Sequence, residues 1–211
     1  MLEKIRAGEG TIDAEVAGPE GSKTRIVFSH GRYNDMNNHV TESLFEELSK
    51  EYISVRFNFS YVGKPGASEP DIGESLIELE ACMERAGGSN IVLIGKSYGS
   101  YVSVKAALAH PDKISRVICI GYPFNDAEDN RKTSDQLPLL GGIADKLVFI
   151  SGSNDPHCRL GRFMRDLPKQ AKFYMLNGAD HSLNGRDAAA TARNMAEALR
   201  LAKETIAGIL Q

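Results

Sequence analysis

The segment NIVLIGKSYGS, residues 90–100, constrains the fold of this chain more than any other segment. Its aliphatic run, Ile91 to Ile94, is typical of a strand buried on both faces of a parallel sheet. The run leads into Gly95-Lys96-Ser97-Tyr98-Gly99, and a helical pattern follows over residues 101–109. A strand that passes into a helix over so few residues needs a tight turn at the serine, which the flanking glycines allow.

Two motifs overlap at this turn, and they indicate different chemistries. A phosphate-binding P-loop, G-x-x-x-x-G-K-[ST], needs a glycine where the sequence has Asn90, and a loop where it has an aliphatic strand. A nucleophile elbow, G-x-S-x-G, needs the strand, turn and helix that the pattern predicts. We therefore interpret Ser97 as a candidate nucleophile. The alternative is a glycine-rich turn without chemistry, and residues elsewhere in the chain distinguish the two.

Strand-like and helix-like segments alternate from about residue 25 to the C-terminus. This alternation predicts an α/β protein, a three-layer α/β/α sandwich around a mostly parallel sheet. We expect residues 1–211 to form a single domain without a full cap domain, with residues 122–143 as a candidate short lid. The first 18 residues predict an edge strand or a hairpin arm. The predicted strands cover residues 25–31, 53–60, 91–94, 116–123, 146–153 and 172–178, and the predicted helices residues 37–50, 71–87, 101–109 and 186–207.

The residues that follow the predicted strands include a complete candidate catalytic set. In an open parallel sheet, ligands bind at the carboxyl ends of the strands. Those ends carry His30-Gly31-Arg32 in SHGR, Ser97 in GKSYG, Asp155 in GSNDP and His181 in GADHSL. A nucleophile, an acid and a histidine thus occur in the order Ser, Asp, His. This coincidence of order and position is far more specific than the G-x-S-x-G motif alone.

These four motifs are similar to those of a known family. From about residue 25 to the C-terminus, the sequence resembles the α/β-hydrolase superfamily, in particular its small, nearly cap-less, dienelactone-hydrolase-like serine hydrolases and uncharacterised relatives. SHGR resembles the family's His-Gly turn, GKSYG its nucleophile elbow, GSNDP its acid turn and GADHSL its histidine loop. The resemblance implies an α/β-hydrolase fold with a catalytic triad.

The chemistry of the residue types agrees with the roles that this resemblance implies. Ser97 is a poor nucleophile until His181 removes its proton, and Asp155 would hold the tautomer and stabilise the charged form of the imidazole. The developing oxyanion needs preorganised N–H donors. One expected donor is the backbone of Tyr98, the residue after the nucleophile. The resemblance places the second donor at Arg32.

Several candidate residues also have a purely structural interpretation. Asp180 offers a carboxylate next to the histidine, but neighbouring side chains tend to diverge, so we favour Asp155 as the acid. His30 would tie its loop to the backbone, which we favour over catalysis. We interpret His157 as a surface residue at a helix start, and both His39 and His110 as surface or capping groups. The candidate substrate contacts are His30, Gly31, Tyr33, Lys96, Tyr122 and Phe124.

The sequence predicts a serine hydrolase that cleaves a small-molecule ester or thioester through an acyl-enzyme. A non-catalytic binding protein is the alternative from another class, because this fold also hosts receptors and scaffolds. An amidase or an acyltransferase on the same triad is the alternative among enzymes. A serine nucleophile in place of aspartate speaks against dehalogenase and epoxide-hydrolase chemistry.

Charge, hydropathy and cysteine content exclude other classes of function. A net charge of −3 and scattered basic residues predict no nucleic-acid partner. No run of 18 apolar residues and no apolar N-terminal segment occur, which predicts a cytoplasmic protein without membrane contact. Cys82, Cys119 and Cys158 lie far apart, so we expect no disulfide, metal or other cofactor. We expect the first two to be buried and the third to be exposed near the site. The sequence leaves the oligomeric state open.

Overall fold

The fold is built on one eight-stranded sheet, seen in a computed structural model that describes residues 1–64, 70–128, 134–158 and 167–209. The strands are β1 Leu2–Ala7, β2 Gly10–Ala17, β3 Arg25–Ser29, β4 Ile53–Phe57, β5 Ile91–Lys96, β6 Ile114–Ile120, β7 Leu147–Gly152 and β8 Lys172–Leu176. Their order across the sheet is β1-β2-β4-β3-β5-β6-β7-β8. Neighbours from β4 to β8 are parallel, whereas β2 pairs antiparallel with both β1 and β4.

Helices cover both faces of this sheet. Among the described residues they are α1 His39–Leu48, α2 Ile72–Ala86, α3 Tyr98–Ala109 and α4 Ala188–Ala207, with a 3₁₀ helix at Leu137–Lys146. Buried residues of α2 and α3 belong to a core on one face, and buried residues of α1 and α4 to a core on the other. The predicted three-layer α/β/α sandwich is confirmed.

Strand β5 lies between β3 and β6, and all of its residues are buried. Successive side chains of a strand point to opposite faces. Ile91 and Leu93 accordingly belong to the core beneath α2 and α3, whereas Val92 and Ile94 belong to the core beneath α1 and α4. Burial on both faces explains the unbroken aliphatic run. It also fixes the position of β5, which ends directly before Ser97 at the carboxyl edge of the sheet.

Helix α3 begins differently from the other described α-helices. The Asp71 carboxylate accepts from Glu74 N–H over 2.9 Å and caps the start of α2. Asn38 and Asp187 cap α1 and α4 in the same way. At α3 the capping position is Ser97, whose side chain makes no capping hydrogen bond. The first N–H groups of α3 therefore point to the carboxyl edge of the sheet without a side-chain cap.

The structure differs from the predicted elements mainly at their ends. Strands β3 and β4 end at Ser29 and Phe57, earlier than the predicted residues 31 and 60. The chain leaves the sheet there, so that Gly31 lies against Ser97 and Phe59 against Tyr98. The candidate lid, residues 122–143, includes the start of the 3₁₀ helix. Its central residues 129–133 lie outside the described residues.

The N-terminal segment forms both arms of a hairpin, β1 and β2, where the sequence indicated a single arm. Gly8, with φ 56°, lies in the connecting turn. Strand β1 forms the edge of the sheet, and it carries two ion pairs. Lys4 contacts Asp13 of β2 over 2.6 Å, and Glu3 contacts Arg85 of α2 over 2.6 Å.

All three cysteines are free and buried. The expected burial of Cys82 and Cys119 is confirmed, whereas the expected exposure of Cys158 is wrong. Cys158 follows the turn that holds Asp155, and its N–H donates to the Asp155 carbonyl over 3.1 Å. This turn directs the side chain into the core beneath α2 and α3, and burial raises the pKa of the thiol to about 11.

The start of α3 packs directly against the end of β3. Ser29 Oγ donates to the Gly99 carbonyl over 3.0 Å and lies 3.1 Å from Ser103 Oγ. A Cβ at Gly99 would lie 2.3 Å from Ser29 O and 2.7 Å from His30 O, which are both backbone atoms. The contact between the two elements leaves no room for a side chain at residue 99.

We expect Gly99→Ala to lower the free energy of unfolding by about 2–3 kcal/mol, because the added methyl group must push two backbone segments apart. Gly141→Ala is the matched control, since a Cβ there would meet nothing within 4 Å. For this control we expect a change below about 1 kcal/mol. Urea unfolding followed by circular dichroism measures both variants. Equal effects of the two substitutions would contradict the argument from close packing.

Candidate active site

Ser97 lies at the turn between β5 and α3, with φ 52° and ψ −116°. A positive φ is disfavoured for a residue with a Cβ and costs about 1–3 kcal/mol. Backbone hydrogen bonds hold the turn: Ser97 N–H donates to Ile120 O over 2.8 Å, and Ser100 N–H donates to Ser97 O over 2.9 Å. A Cβ at Gly95 would lie 2.4 Å from Ser100 Cα, so this position also requires glycine. The strand, turn and helix match the geometry that the elbow motif predicts.

The structure brings Ser97, His181 and Asp155 together, although they are far apart in the chain. His181 Nε2 lies 2.9 Å from Ser97 Oγ, and His181 Nδ1 lies 2.9 Å from Asp155 Oδ2. An ionised carboxylate only accepts hydrogen bonds, so the proton of the neutral imidazole belongs on Nδ1. Nε2 is then left to accept from the Ser97 hydroxyl. The imidazole is thus oriented to remove a proton from the serine.

The Asp155 side chain is buried, with 3% of the residue exposed, at the turn after β7. Its second oxygen, Oδ1, accepts from His157 N–H over 2.8 Å, so both carboxylate oxygens have a partner. The turn also packs closely on the histidine loop, since a Cβ at Gly152 would lie 2.2 Å from Ala179 O. These contacts position the carboxylate beside the imidazole.

Asp180 has a different set of partners from Asp155. Its Oδ1 accepts from the N–H groups of Ser182 and Asn184, each over 2.8 Å, and its Oδ2 accepts from Asn184 Nδ2 over 3.1 Å. Partial burial raises the pKa of Asp180, but the hydrogen bonds from Asn184 and Ser182 outweigh this effect and lower it. The carboxylate holds the histidine loop in shape.

The surroundings of His181 keep its imidazole uncharged. Burial is the largest influence and lowers the pKa of His181 below its ordinary value of 6.5. The hydrogen bond to Asp155 raises the pKa, whereas the positive charges of Lys96 and His157 lower it. The net direction is downward. At neutral pH the ring therefore carries a free lone pair on Nε2, as a general base requires.

His30 is completely buried and ties two loops together. Its Nδ1 lies 2.7 Å from Gly31 O, and its Nε2 accepts from Phe59 N–H over 3.1 Å. Burial lowers the pKa of His30 to about 4, so the ring is neutral. Both ring nitrogens are occupied by backbone groups. This is the structural role that the sequence analysis favoured over catalysis.

Comparison with known proteins identifies the family of this chain. The sequence matches the family described as alpha/beta hydrolase domain over residues 22–209. The chain belongs to this family. Membership of the α/β-hydrolase family supports hydrolytic activity. A search of the curated proteins found no significant match.

Solved structures of α/β hydrolases share the fold. XC6422 from Xanthomonas campestris, described as an α/β serine hydrolase without lid, is 20% identical with a TM-score of 0.72, over 98% of this chain and 93% of that one. Est1E from Butyrivibrio proteoclasticus, solved with ferulic acid bound, is 15% identical with a TM-score of 0.74, over 97% of this chain and 99% of that one. Dienelactone hydrolase from Anabaena variabilis is 14% identical with a TM-score of 0.72, over 95% and 94%. At these identities the likeness concerns the α/β-hydrolase fold.

The two predicted oxyanion donors belong to segments that adjoin Ser97. Tyr98 is the first residue of α3, where helix N–H groups lack intrahelical partners. The turn that contains Gly31 and Arg32 lies against the nucleophile, since a Cβ at Gly31 would lie 3.4 Å from Ser97 Cβ. The role of the backbone N–H groups of Tyr98 and Arg32 stays a prediction.

Of the six candidate substrate contacts, all except Tyr33 are buried. Tyr122 packs against Phe124 and Phe149, and its hydroxyl donates to Gln136 Oε1 over 2.8 Å. Tyr122 and Phe124 are 0% and 1% exposed, because both rings fill the core beneath α2 and α3. We therefore do not retain either ring as a candidate substrate contact. Lys96 is also buried, within the elbow itself.

Tyr33 is the most exposed candidate, at 86%. The Arg32 guanidinium lies 5.2 Å from the centre of its ring. Both residues line an open cleft of about 380 Å³ together with Tyr61. A larger cleft of about 510 Å³ lies between the β1–β2 hairpin and α2, and its lining contains none of the three residues Ser97, Asp155 and His181.

His157 was predicted to be a surface residue at a helix start, but it is half-buried beside His181. Its ring packs against His181 with 4.7 Å between the ring centres, and its Nδ1 lies 3.1 Å from Asn125 O. The GSNDP motif before His157 contains a feature from which this position could have been predicted. An aspartate side chain commonly accepts from the N–H two residues later, which directs His157 to the same side as Asp155.

The described part of the chain contains neither a candidate metal site nor a candidate membrane span. Within it, His, Cys, Asp and Glu side chains form no group of three or more that could hold a metal ion. The helices of the same residues include none with the length and apolar character needed to cross a membrane.

Proposed function

We propose that this protein is a serine hydrolase that cleaves a small-molecule ester or thioester through an acyl-enzyme. The observation that carries the proposal is the continuous contact from Asp155 through His181 to Ser97, with 2.9 Å at each step. Membership of the α/β-hydrolase family supports it. So does the strained turn at Ser97, because strain of this kind is retained where it holds a reacting group in place.

The proposed reaction begins when His181 Nε2 takes the Ser97 proton as Oγ attacks the carbonyl carbon of the substrate. The negative charge then develops on the carbonyl oxygen. Backbone N–H groups of Tyr98 and Arg32, together with the positive end of α3, would stabilise that charge. His181 next donates its proton to the leaving alcohol or thiol, which departs and leaves Ser97 acylated.

Water completes the proposed cycle by the same route in reverse order. His181 deprotonates the water, which attacks the acyl carbon, and the released proton returns to Ser97 as the acid leaves. Asp155 stays ionised throughout. It holds the imidazole in the Nδ1–H tautomer and stabilises the imidazolium that forms in each step.

The site is expected to accept short acyl groups. Among the described residues of 122–143, most of the large apolar side chains that could form a roof are buried in the core, namely Tyr122, Phe124, Leu137, Leu140 and Ile143. Leu139 is exposed at 56%. Side chains already committed to the core cannot enclose a long acyl chain.

We also propose that the protein works in the cytoplasm. Cys82, Cys119 and Cys158 are all free. Free thiols persist in reducing compartments.

The central test uses a fluorophosphonate, which reacts with activated serine nucleophiles. We expect it to label Ser97 and no other serine, as identified by peptide mass spectrometry. Labelling and ester hydrolysis should both disappear in Ser97→Ala. Undiminished turnover by that variant would contradict the triad. Absence of labelling in the wild-type protein would favour a non-catalytic binding protein with this fold.

A second prediction distinguishes the two carboxylates. Asp155→Asn should trap the wrong imidazole tautomer and lower kcat by up to about 10⁴-fold. Asp180→Asn is the matched control, and it should lower kcat about tenfold or less, because it loosens the loop without changing proton transfer. Steady-state kinetics of the purified variants measure both. A severe loss in Asp180→Asn with a mild loss in Asp155→Asn would reverse the assignment.

A third prediction concerns substrate size. In a series of p-nitrophenyl esters of graded acyl length, kcat/KM should fall as the chain lengthens. A thioester series with the same acyl groups shows whether kcat/KM differs between an oxygen and a sulfur leaving group. A preference for long acyl chains would mean that an apolar lid covers the site.

A further inference from the structure

His181 is flanked by two side chains that can carry positive charge. The His157 ring lies 4.7 Å from the His181 ring, measured between the ring centres, at an interplanar angle of 52°. Lys96 is the last residue of β5 and is 5% exposed. Alternation along β5 places Lys96 on the face beneath α1 and α4, which is also the face on which the histidine loop packs through Ala179 and Leu183.

The contacts of His157 connect it to the same carboxylate that orients His181. Its N–H donates to Asp155 Oδ1 over 2.8 Å, whereas His181 contacts Asp155 Oδ2. Its Nδ1, 3.1 Å from the Asn125 carbonyl oxygen, anchors the ring to a neighbouring loop. One carboxylate therefore holds both histidines, and the His157 ring cannot turn away from His181 without losing the bond to Asn125.

We propose that Lys96 and His157 are positioning residues that keep the His181 imidazole uncharged until it takes the proton of Ser97. This inference rests on the proposed function, in which His181 is the general base. Positive charge close to an imidazole opposes its protonation by solvent. The imidazolium formed from Ser97 is for the same reason a stronger acid, and it passes its proton readily to the leaving group.

Burial and charge agree with this role for Lys96. Burial lowers the pKa of Lys96 to about 8, while Asp155 and Asp180 act in the opposite direction. The pKa of His181 lies below 6.5. Lys96 therefore carries its charge throughout the pH range in which His181 titrates.

The other titratable groups that face this part of the site do not replace Lys96 and His157. Asp155 accepts from the imidazole and favours its charged form. Asp180 attracts Lys96, but its oxygens accept hydrogen bonds within its own loop. His39, at the start of α1, contacts the carbonyl oxygen of Ser182 over 2.9 Å.

The test is a proton NMR titration of the His181 ring in the wild-type protein, in Lys96→Met and in His157→Phe. Methionine keeps the length of the lysine side chain, and phenylalanine keeps an aromatic ring, while both lack the charge. We expect the titration midpoint of His181 to rise by about 0.5–1 pH unit in Lys96→Met and by a smaller amount in His157→Phe. An unchanged midpoint in either variant would overturn the role of that residue.

Two substitutions far from the site serve as matched controls. His110→Phe removes a histidine that contacts Glu80 at the far end of α3. Lys172→Met removes an exposed lysine at the start of β8. Neither should move the midpoint of His181. If Lys96→Met does not fold, as judged by circular dichroism, Lys96→Gln provides the same comparison with a polar side chain.

The rate of Ser97 labelling by a fluorophosphonate, measured against pH, separates this inference from the proposed function. The acid limb should shift upward in both variants by the amount seen in the NMR titration, so labelling slows at pH 6 and changes little at pH 8. Labelling with an unshifted acid limb would overturn the inference alone. No labelling at any pH would overturn the proposed function, and the NMR midpoints would then still report whether the two residues act on His181.

Discussion

The close approach of α3 to the end of β3 is the contact on which the geometry of the site depends. Without a side chain at Gly99, the first turn of the helix rests on the backbone of Ser29 and His30. The same approach brings the turn around Gly31 against Ser97. Because β3 and β5 are parallel neighbours, both segments leave the sheet at the same edge. A shift of either element would separate the serine from the backbone groups proposed to stabilise its reaction.

A second constraint is the balance of charge around His181. Burial favours the neutral ring of His181, as do Lys96 and His157, whereas Asp155 favours the imidazolium. A histidine with too high a pKa would be protonated by solvent before it could act as a base. A histidine with too low a pKa could not remove the proton of Ser97. In the proposed reaction, Asp155 acts before proton transfer by holding the Nδ1–H tautomer and after it by stabilising the imidazolium. Lys96 and His157 are proposed to oppose protonation in the first state and to favour proton release in the second.

The sheet and the grouping of Ser97, Asp155 and His181 could be predicted from the sequence because both follow from backbone rules. Aliphatic runs identified the strands, and parallel strands deliver their carboxyl ends to one edge. The positions of Tyr122 and His157 do not follow from these strand rules, because each residue lies in a loop after a strand. The direction of the Tyr122 ring depends on tertiary packing, and that of His157 on the local turn at Asp155. The Tyr122 ring packs in the core, whereas the His157 N–H donates to the Asp155 carboxylate, which places His157 beside the site.

The N-terminal hairpin has a consequence for how the sheet ends. Strand β2 covers the side of β4 that would otherwise offer unpaired backbone groups, and β1 becomes the outermost strand. The consecutive residues Glu3 and Lys4 of β1 point to opposite faces of the sheet, and each is engaged in an ion pair. A strand from a second molecule that added at this edge would have to desolvate these charges. The chain thus terminates its own sheet at this edge and makes extension into larger β-assemblies there unfavourable.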